Sequence, residues 1–168
     1  MNHHAILGLG SNIDAARHLV AAVALCRSLP ATQVLRASSI YRSAPWGGAG
    51  GGLFHNAALL IATELTPWNL LAATRAIERT LGRRRGARYA PRCLDIDLLW
   101  YAGARLALPT LQVPHPRLLE RRFALLPLCE IAPEVVLAPG LRAAAALRRC
   151  ADRSAVWRDC RVTASPCS

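Results

Sequence analysis

The chain has 168 residues, 53% of them hydrophobic and 18% charged, a balance that suits one folded domain with a sizeable core and excludes a disordered polypeptide. No apolar run approaches the roughly 18 residues of a membrane span, and Met1-Asn2-His3-His4 lacks the basic flank and cleavage site of a secretory signal, so a soluble, cytoplasmic protein is expected. The net charge of +11 rests on 21 arginines and no lysine, which draws polyanions yet excludes a P-loop, whose lysine must reach the terminal phosphates.

Ala5 to Leu9 reads as an apolar strand, and Gly8-Leu9-Gly10-Ser11-Asn12 as a tight turn that fails the dinucleotide fingerprint because position 13 is isoleucine. Ala16, Leu19, Val20, Val23 and Ala24 recur with helical spacing from Asp14 to before Pro30. Val34 to Ser43 and Phe54 to Thr63 are expected strands, separated by a loop from Pro45 to Gly52 that holds five glycines in eight residues. Thr66 as N-cap and Pro67 at the first helical position open a helix that Gly82 stops. After a basic loop, Leu94 to Tyr101 is a strand, with Gly103 turning it into a short partner at Arg105 to Leu108. Short helices are expected at Leu118 to Glu130 and Leu141 to Arg149.

The order β, α, β, β, α, β to residue 101 predicts an α+β, ferredoxin-like sandwich, with helices on one face of an antiparallel sheet and extra C-terminal helices. Residues 1–151 form the expected single domain and 152–168 a poorly specified tail. Six cysteines, none in CxxC spacing and several within apolar runs, are read as buried thiols rather than a metal or disulfide framework.

Chemistry concentrates in three places. In Cys93-Leu94-Asp95-Ile96-Asp97-Leu98-Leu99 the alternation puts both carboxylates on one face of a strand and Leu94, Ile96 and Leu98 on the other. Magnesium would relieve their repulsion, although an edge strand's polar face or pairing with arginines suits them equally. Gly82 to Arg92 carries five arginines in eleven positions, a clamp for a polyphosphate or else a solvated basic loop. Adjacency favours the clamp, because it leads directly into the aspartate strand. Val113-Pro114-His115-Pro116 followed by Arg121-Arg122-Phe123 offers a histidine held between prolines and a further anion contact.

Together these segments resemble the 6-hydroxymethyl-7,8-dihydropterin pyrophosphokinase family. The resemblance rests on Gly8 to Asn12, Ser38-Ser39-Ile40-Tyr41-Arg42-Ser43, Phe54-His55-Asn56-Ala57, Ile77-Glu78, Gly82-Arg83, Pro91-Arg92-Cys93-Leu94-Asp95-Ile96-Asp97, and the Val113 and Arg121 motifs. It implies magnesium-dependent transfer of a pyrophosphoryl group from ATP to the hydroxymethyl oxygen of a reduced pterin, leaving AMP, by a monomer that engages neither nucleic acid nor membrane. Asp95 and Asp97 would bind two magnesium ions, with Asp95 also near the pterin. Arg83 and Arg92 would hold phosphates, assisted by Arg85 and Arg88. Glu78, Leu98, Gln112, His115 and Arg121 would meet the nucleotide. The pterin would stack between Phe54 and Phe123, its edge satisfied by Asn56 and by Ser43, Ala44 and Trp46. Thr110 and Gln112 stand where the family carries arginine and threonine, Tyr89 where it carries tryptophan, and Phe54 where it carries tyrosine. The glycines from Gly47 to Gly52 suit a lid. The alternative, a small RNA-binding module, accounts for the arginine excess but not for paired acids, and nine aromatics in 168 residues supply no stacking string.

Overall fold

The computed structural model describes residues 2–45, 52–82 and 93–159. Along these residues run β1 (His3–Ser11), α1 (Ala15–Arg27), β2 (Thr32–Ala37), β3 (Tyr41–Ser43), β4 (Phe54–Thr63), α2 (Pro67–Thr80) and β5 (Asp95–Tyr101). The hairpin β6 (Leu106–Leu108) and β7 (Leu111–Val113) follows, then a 3₁₀ turn at Leu118–Glu120 and α3 (Arg122–Ile131). A second hairpin, β8 (Val136–Ala138) and β9 (Leu141–Arg142), leads to α4 (Ala143–Arg149) and β10 (Val156–Arg158).

Six strands form one antiparallel sheet in the order β10-β3-β4-β1-β5, with β2 also paired to β4. The strand expected from Val34 to Ser43 is broken into β2 and β3, both on the same edge of β4. Ser38 bridges the break: its backbone N–H donates to Ala58 O at 2.9 Å and its hydroxyl accepts from Ala58 N at 2.8 Å, so the ladder continues through a side chain.

Helices cover both faces of the sheet, not one. Leu19, Ala22, Val23 and Cys26 of α1 and Leu70 and Ile77 of α2 bury Leu7, Leu9, Leu59, Ile61, Ile96 and Leu98. On the opposite face Leu125, Leu128 and Ile131 of α3, with Ala143 and Ala146 of α4, bury Ile6, Ala58 and Leu99. The C-terminal helices thus form a second layer, which is why β4 is apolar almost without alternation: it is covered on both sides. Among the described residues no helix is long and apolar enough to cross a membrane.

Local signals at α2 hold. Thr66 Oγ1 accepts from Asn69 N at 3.3 Å, Pro67 opens the helix, and Gly82 stops it at φ +86°. Three expectations change. Gly8 and Gly10 lie inside β1 instead of in a turn. The segment beyond Gly103 pairs with β7 and not with the preceding strand. Residues 152–159, expected as a poorly specified tail, end in a strand on the edge of the sheet, with Asp159 buried and its N–H bonded to Ile40 O at 2.7 Å.

Candidate active site

The two aspartates occupy the start of β5, and the register explains what surrounds them. Gly10 lies opposite Asp95 and Gly8 opposite Asp97, while Asn56 lies opposite Gly10 on its other side. Directly paired residues share a face, so a row runs from Asn56 across a bare glycine to Asp95. Among the described residues a Cβ on Gly10 would meet only the Asn56 Oδ1, in ordinary contact at 3.5 Å. Among the described residues the floor beside the carboxylates is therefore open backbone, and Leu94, Ile96 and Leu98 point the other way into the α1/α2 core.

Behind the aspartates the strand bulges. Leu7 pairs with Leu98 but Ile6 pairs with Trp100, so Leu99 is an extra residue. Its side chain takes the space that Gly8 leaves: a Cβ there would lie 2.9 Å from Leu99 Cδ1. Its carbonyl accepts the backbone N–H of His115 at 2.9 Å, which ties the Val113-Pro114-His115-Pro116 segment to the aspartate strand. The Val113–Pro114 peptide is cis. Arg117 N donates to His115 Nδ1 at 3.2 Å, so the neutral ring carries its proton on Nε2. Burial holds the His115 pKa below its ordinary value; Asp97 pulls it up, and Arg121 and Arg117 push it further down.

Two supports lie outside the carboxylate face. Glu78, 4% exposed on α2, accepts the Ile96 N–H at 2.7 Å and so grips β5 from the side opposite the aspartates. Ser11 donates to Cys93 O at 2.5 Å, fixing the entry to the same strand.

The second wall comes from β3, β4 and α3. Ser43 pairs with Phe54, and Asn56 Nδ2 donates to the Ser43 hydroxyl at 3.0 Å; both polar side chains are buried. α3 packs against β3 and β4, with the Ile131 carbonyl at its end accepting from Arg36 on β2, and its first turn starts at Arg122. That turn bears Phe123, with the Arg121 guanidinium carbon 5.7 Å from its ring centre.

The structure thus gathers Asp95, Asp97, Asn56, Ser43, Phe54, His115, Arg121 and Phe123 at one end of one sheet face. Exposed Ala44 follows Ser43, and exposed Gln112 sits on β7. Leu98 and Glu78 do not join the group: Leu98 is a core side chain, and Glu78 grips backbone. Arg83, Arg85, Arg88, Arg92, Tyr89, Trp46 and the glycines 47–51 lie outside the described residues. Sequence reasoning missed Gly8 and Gly10, although a glycine alternating with apolar residues in a strand is a signal of close approach.

The donor set suits magnesium. Among the described residues no group of three or more histidines, cysteines or acids is placed to form a metal cage. Magnesium asks for less, taking one or two carboxylates and filling the rest with water and phosphate oxygens, and two carboxylates beside a glycine floor that no described side chain fills leave room for both.

The model of the family described as 7,8-dihydro-6-hydroxymethylpterin-pyrophosphokinase matches residues 6–133. A 2-amino-4-hydroxy-6-hydroxymethyldihydropteridine pyrophosphokinase of Methylorubrum extorquens is 47% identical over 134 residues, covering 79% of this chain and 85% of its own length. The Bacillus subtilis enzyme of the same name is 43% identical over 136 residues, covering 80% and 81%. Among solved structures, the Plasmodium falciparum HPPK-DHPS superposes with a TM-score of 0.70 at 14% identity, over 89% of this chain and 43% of that one, a likeness of fold alone. The chain belongs to the 7,8-dihydro-6-hydroxymethylpterin-pyrophosphokinase family.

Proposed function

We propose that this chain transfers the β,γ-pyrophosphoryl group of ATP to the hydroxymethyl oxygen of 6-hydroxymethyl-7,8-dihydropterin, as the names of its relatives describe for them. The observation that carries the reading is the row of Asp95 and Asp97 over a glycine floor, continuous with the Asn56, Ser43 and Phe54 wall. In the transfer the pterin oxygen bonds to the β-phosphorus, the bond from that phosphorus to the α,β-bridging oxygen breaks, AMP departs with the bridging oxygen, and the hydroxyl proton is released.

Asp95 and Asp97 would hold two magnesium ions, which when bound would offset the triphosphate charge and draw electron density from the β-phosphorus. The chain's own groups supply position. The Asn56 amide and Ser43 hydroxyl, fixed on each other, present hydrogen-bonding atoms to the pterin edge, and Phe54 and Phe123 offer it two aromatic faces. His115 Nε2–H and the Arg121 guanidinium are donors for phosphate or ribose oxygens. Arg83, Arg92, Arg85 and Arg88 would clamp the polyphosphate. Glu78 serves the nucleotide indirectly, by holding β5 in place.

We also infer a ferredoxin-like framework: with β2 and β3 counted as one interrupted strand, the antiparallel order and the α1/α2 layer support it. The test of function is to separate nucleotides after mixing the protein, magnesium, ATP and the reduced pterin. AMP formed only when pterin is present is the expected result; ADP, or pterin-independent turnover, would overturn it.

A further inference from the structure

The segment after α4 lies beyond the residues that match the family model, yet it touches both sides of the candidate pterin site. At its start Asp152 Oδ2 accepts the backbone N–H of Arg122 at 2.9 Å, and Asp152 Oδ1 accepts from Ser154 N at 2.9 Å. Arg122 is the first residue of α3 and the immediate neighbour of both Arg121 and Phe123. Four residues later Val156 pairs with Ser43, the last residue of β3. The segment therefore passes from the wall that bears Phe123 to the wall that bears Ser43 and Phe54, a span of at most about 14 Å for four extended residues.

Its far end is anchored as firmly. Asp159, 6% exposed, accepts from Arg42 Nε at 2.8 Å and lies 3.7 Å from His55 Nε2. Arg42 and His55 are the chain neighbours of Ser43 on one side, and of Phe54 and Asn56 on the other. Arg158 Nε donates to Ser39 Oγ at 2.6 Å, and the Arg158 guanidinium lies 3.6 Å from Glu130 Oε1, so the same strand also reaches the end of α3. Glu130 in turn accepts from Ser39 N, Ser39 Oγ and Tyr41 OH. Polar ties thus join the end of α3 to β3 and to the residues that lead into it.

We propose that residues 151–159 are a strap that sets the spacing of the two walls of the pterin site, with Asp152 and Asp159 as its positioning residues. The strap rests on the reading of Ser43, Phe54 and Phe123 as pterin contacts. Aromatic stacking on both faces of a flat ring tolerates little change in wall separation, so a slack strap weakens the pterin far more than the nucleotide, which is held chiefly by β5 and the His115 segment and, beside the strap, by the long and adaptable Arg121 side chain.

The test is fluorescence titration of 6-hydroxymethyl-7,8-dihydropterin into the full chain loaded with magnesium and α,β-methylene-ATP, beside a separate titration of that nucleotide. Asp152→Ala is expected to raise the pterin Kd about tenfold while the nucleotide Kd moves less than about twofold, and Asp152→Asn, which keeps an acceptor for Arg122 N, is expected to stay within about 1.5-fold of the parent. Asp159→Asn retains an acceptor for Arg42 and so the fold; it is expected to raise the pterin Kd about threefold and carries the test alone if Asp152→Ala does not accumulate folded. Pterin affinity unchanged in Asp152→Ala and Asp159→Asn, or both ligands weakened by the same factor, overturns the strap while leaving the activity intact. Failure of the parent chain to bind the pterin at all overturns the activity and the strap together.

Discussion

Asp95 and Asp97 carry like charges on one face of β5, an arrangement that costs the fold stability. A bound cation and the phosphates it carries would offset that cost, so neutralising one carboxylate separates function from stability. Asp97→Asn is expected to lower kcat for AMP formation on the order of 10³-fold while the melting temperature stays level or rises, checked by initial rates and thermal denaturation of the free chain. Gly8 makes the opposite case, a residue whose importance is steric. A methyl group there would press on Leu99 Cδ1 at 2.9 Å, and the bulge that places Leu99 also presents the carbonyl that holds His115. Gly8→Ala should cost about 1–3 kcal/mol in urea unfolding and should reduce activity through a displaced His115 segment. An unchanged unfolding midpoint would mean that Leu99 rotates away freely.

At the level of elements, the site is held by struts that join pieces remote in sequence. The buried Glu78 carboxylate links α2 to the Ile96 N–H between the two aspartates. Glu78→Ala leaves that N–H without its acceptor and should cost about 1–3 kcal/mol, whereas Glu78→Gln, which keeps an amide oxygen, should cost less; urea midpoints distinguish the two. Asp152 caps α3. Partial burial pushes its pKa up, but hydrogen bonds from Ser154 and Arg122 and the Arg122 charge outweigh this and hold it below 3.8. The folded state thus favours the ionised form, and the stability it contributes is present above 3.8 and lost as pH falls through the lowered value. Asp152→Ala should be about 1 kcal/mol less stable than the parent near neutral pH, and the gap should close on acidification below that point, as followed by unfolding at a series of pH values. Such struts also mark where the sequence stops being legible. The Thr66-Pro67 start and the Gly82 stop of α2, and the common face of Asp95 and Asp97, depend on neighbours within a turn or a strand and are read directly. The break between β2 and β3 depends on Ser38 reaching Ala58, and the two glycines of β1 depend on what β5 brings beside them, so local pattern gives a continuous strand and a turn instead. Asp152 and Asp159 lie in a stretch without periodicity; only their partners Arg122 and Arg42 give it a place.

Across the whole molecule the sheet is a middle layer between α1/α2 and α3/α4, and the candidate site occupies one end of the face on which α3 lies. The charge belongs to this scale as well. A surplus of +11 carried wholly by guanidinium groups keeps its value across any working pH, so its field acts on an incoming nucleotide at acid and alkaline pH alike. The pterin is uncharged and is not drawn by that field. Because the Debye length falls from about 30 Å at 0.01 M salt to about 8 Å at 0.15 M, added salt removes the long-range part of the attraction and spares the short contacts within the site. Raising sodium chloride across this range should increase the KM for ATP by about three- to tenfold while the KM for the pterin changes by less than about twofold, with the same ratio at about pH 6.5 and about pH 9. Initial rates with each substrate varied at saturating levels of the other measure both constants. A parallel rise of the two would place the effect of salt in the fold, and a ratio that vanished at high pH would point to histidine in place of arginine as the source of the field.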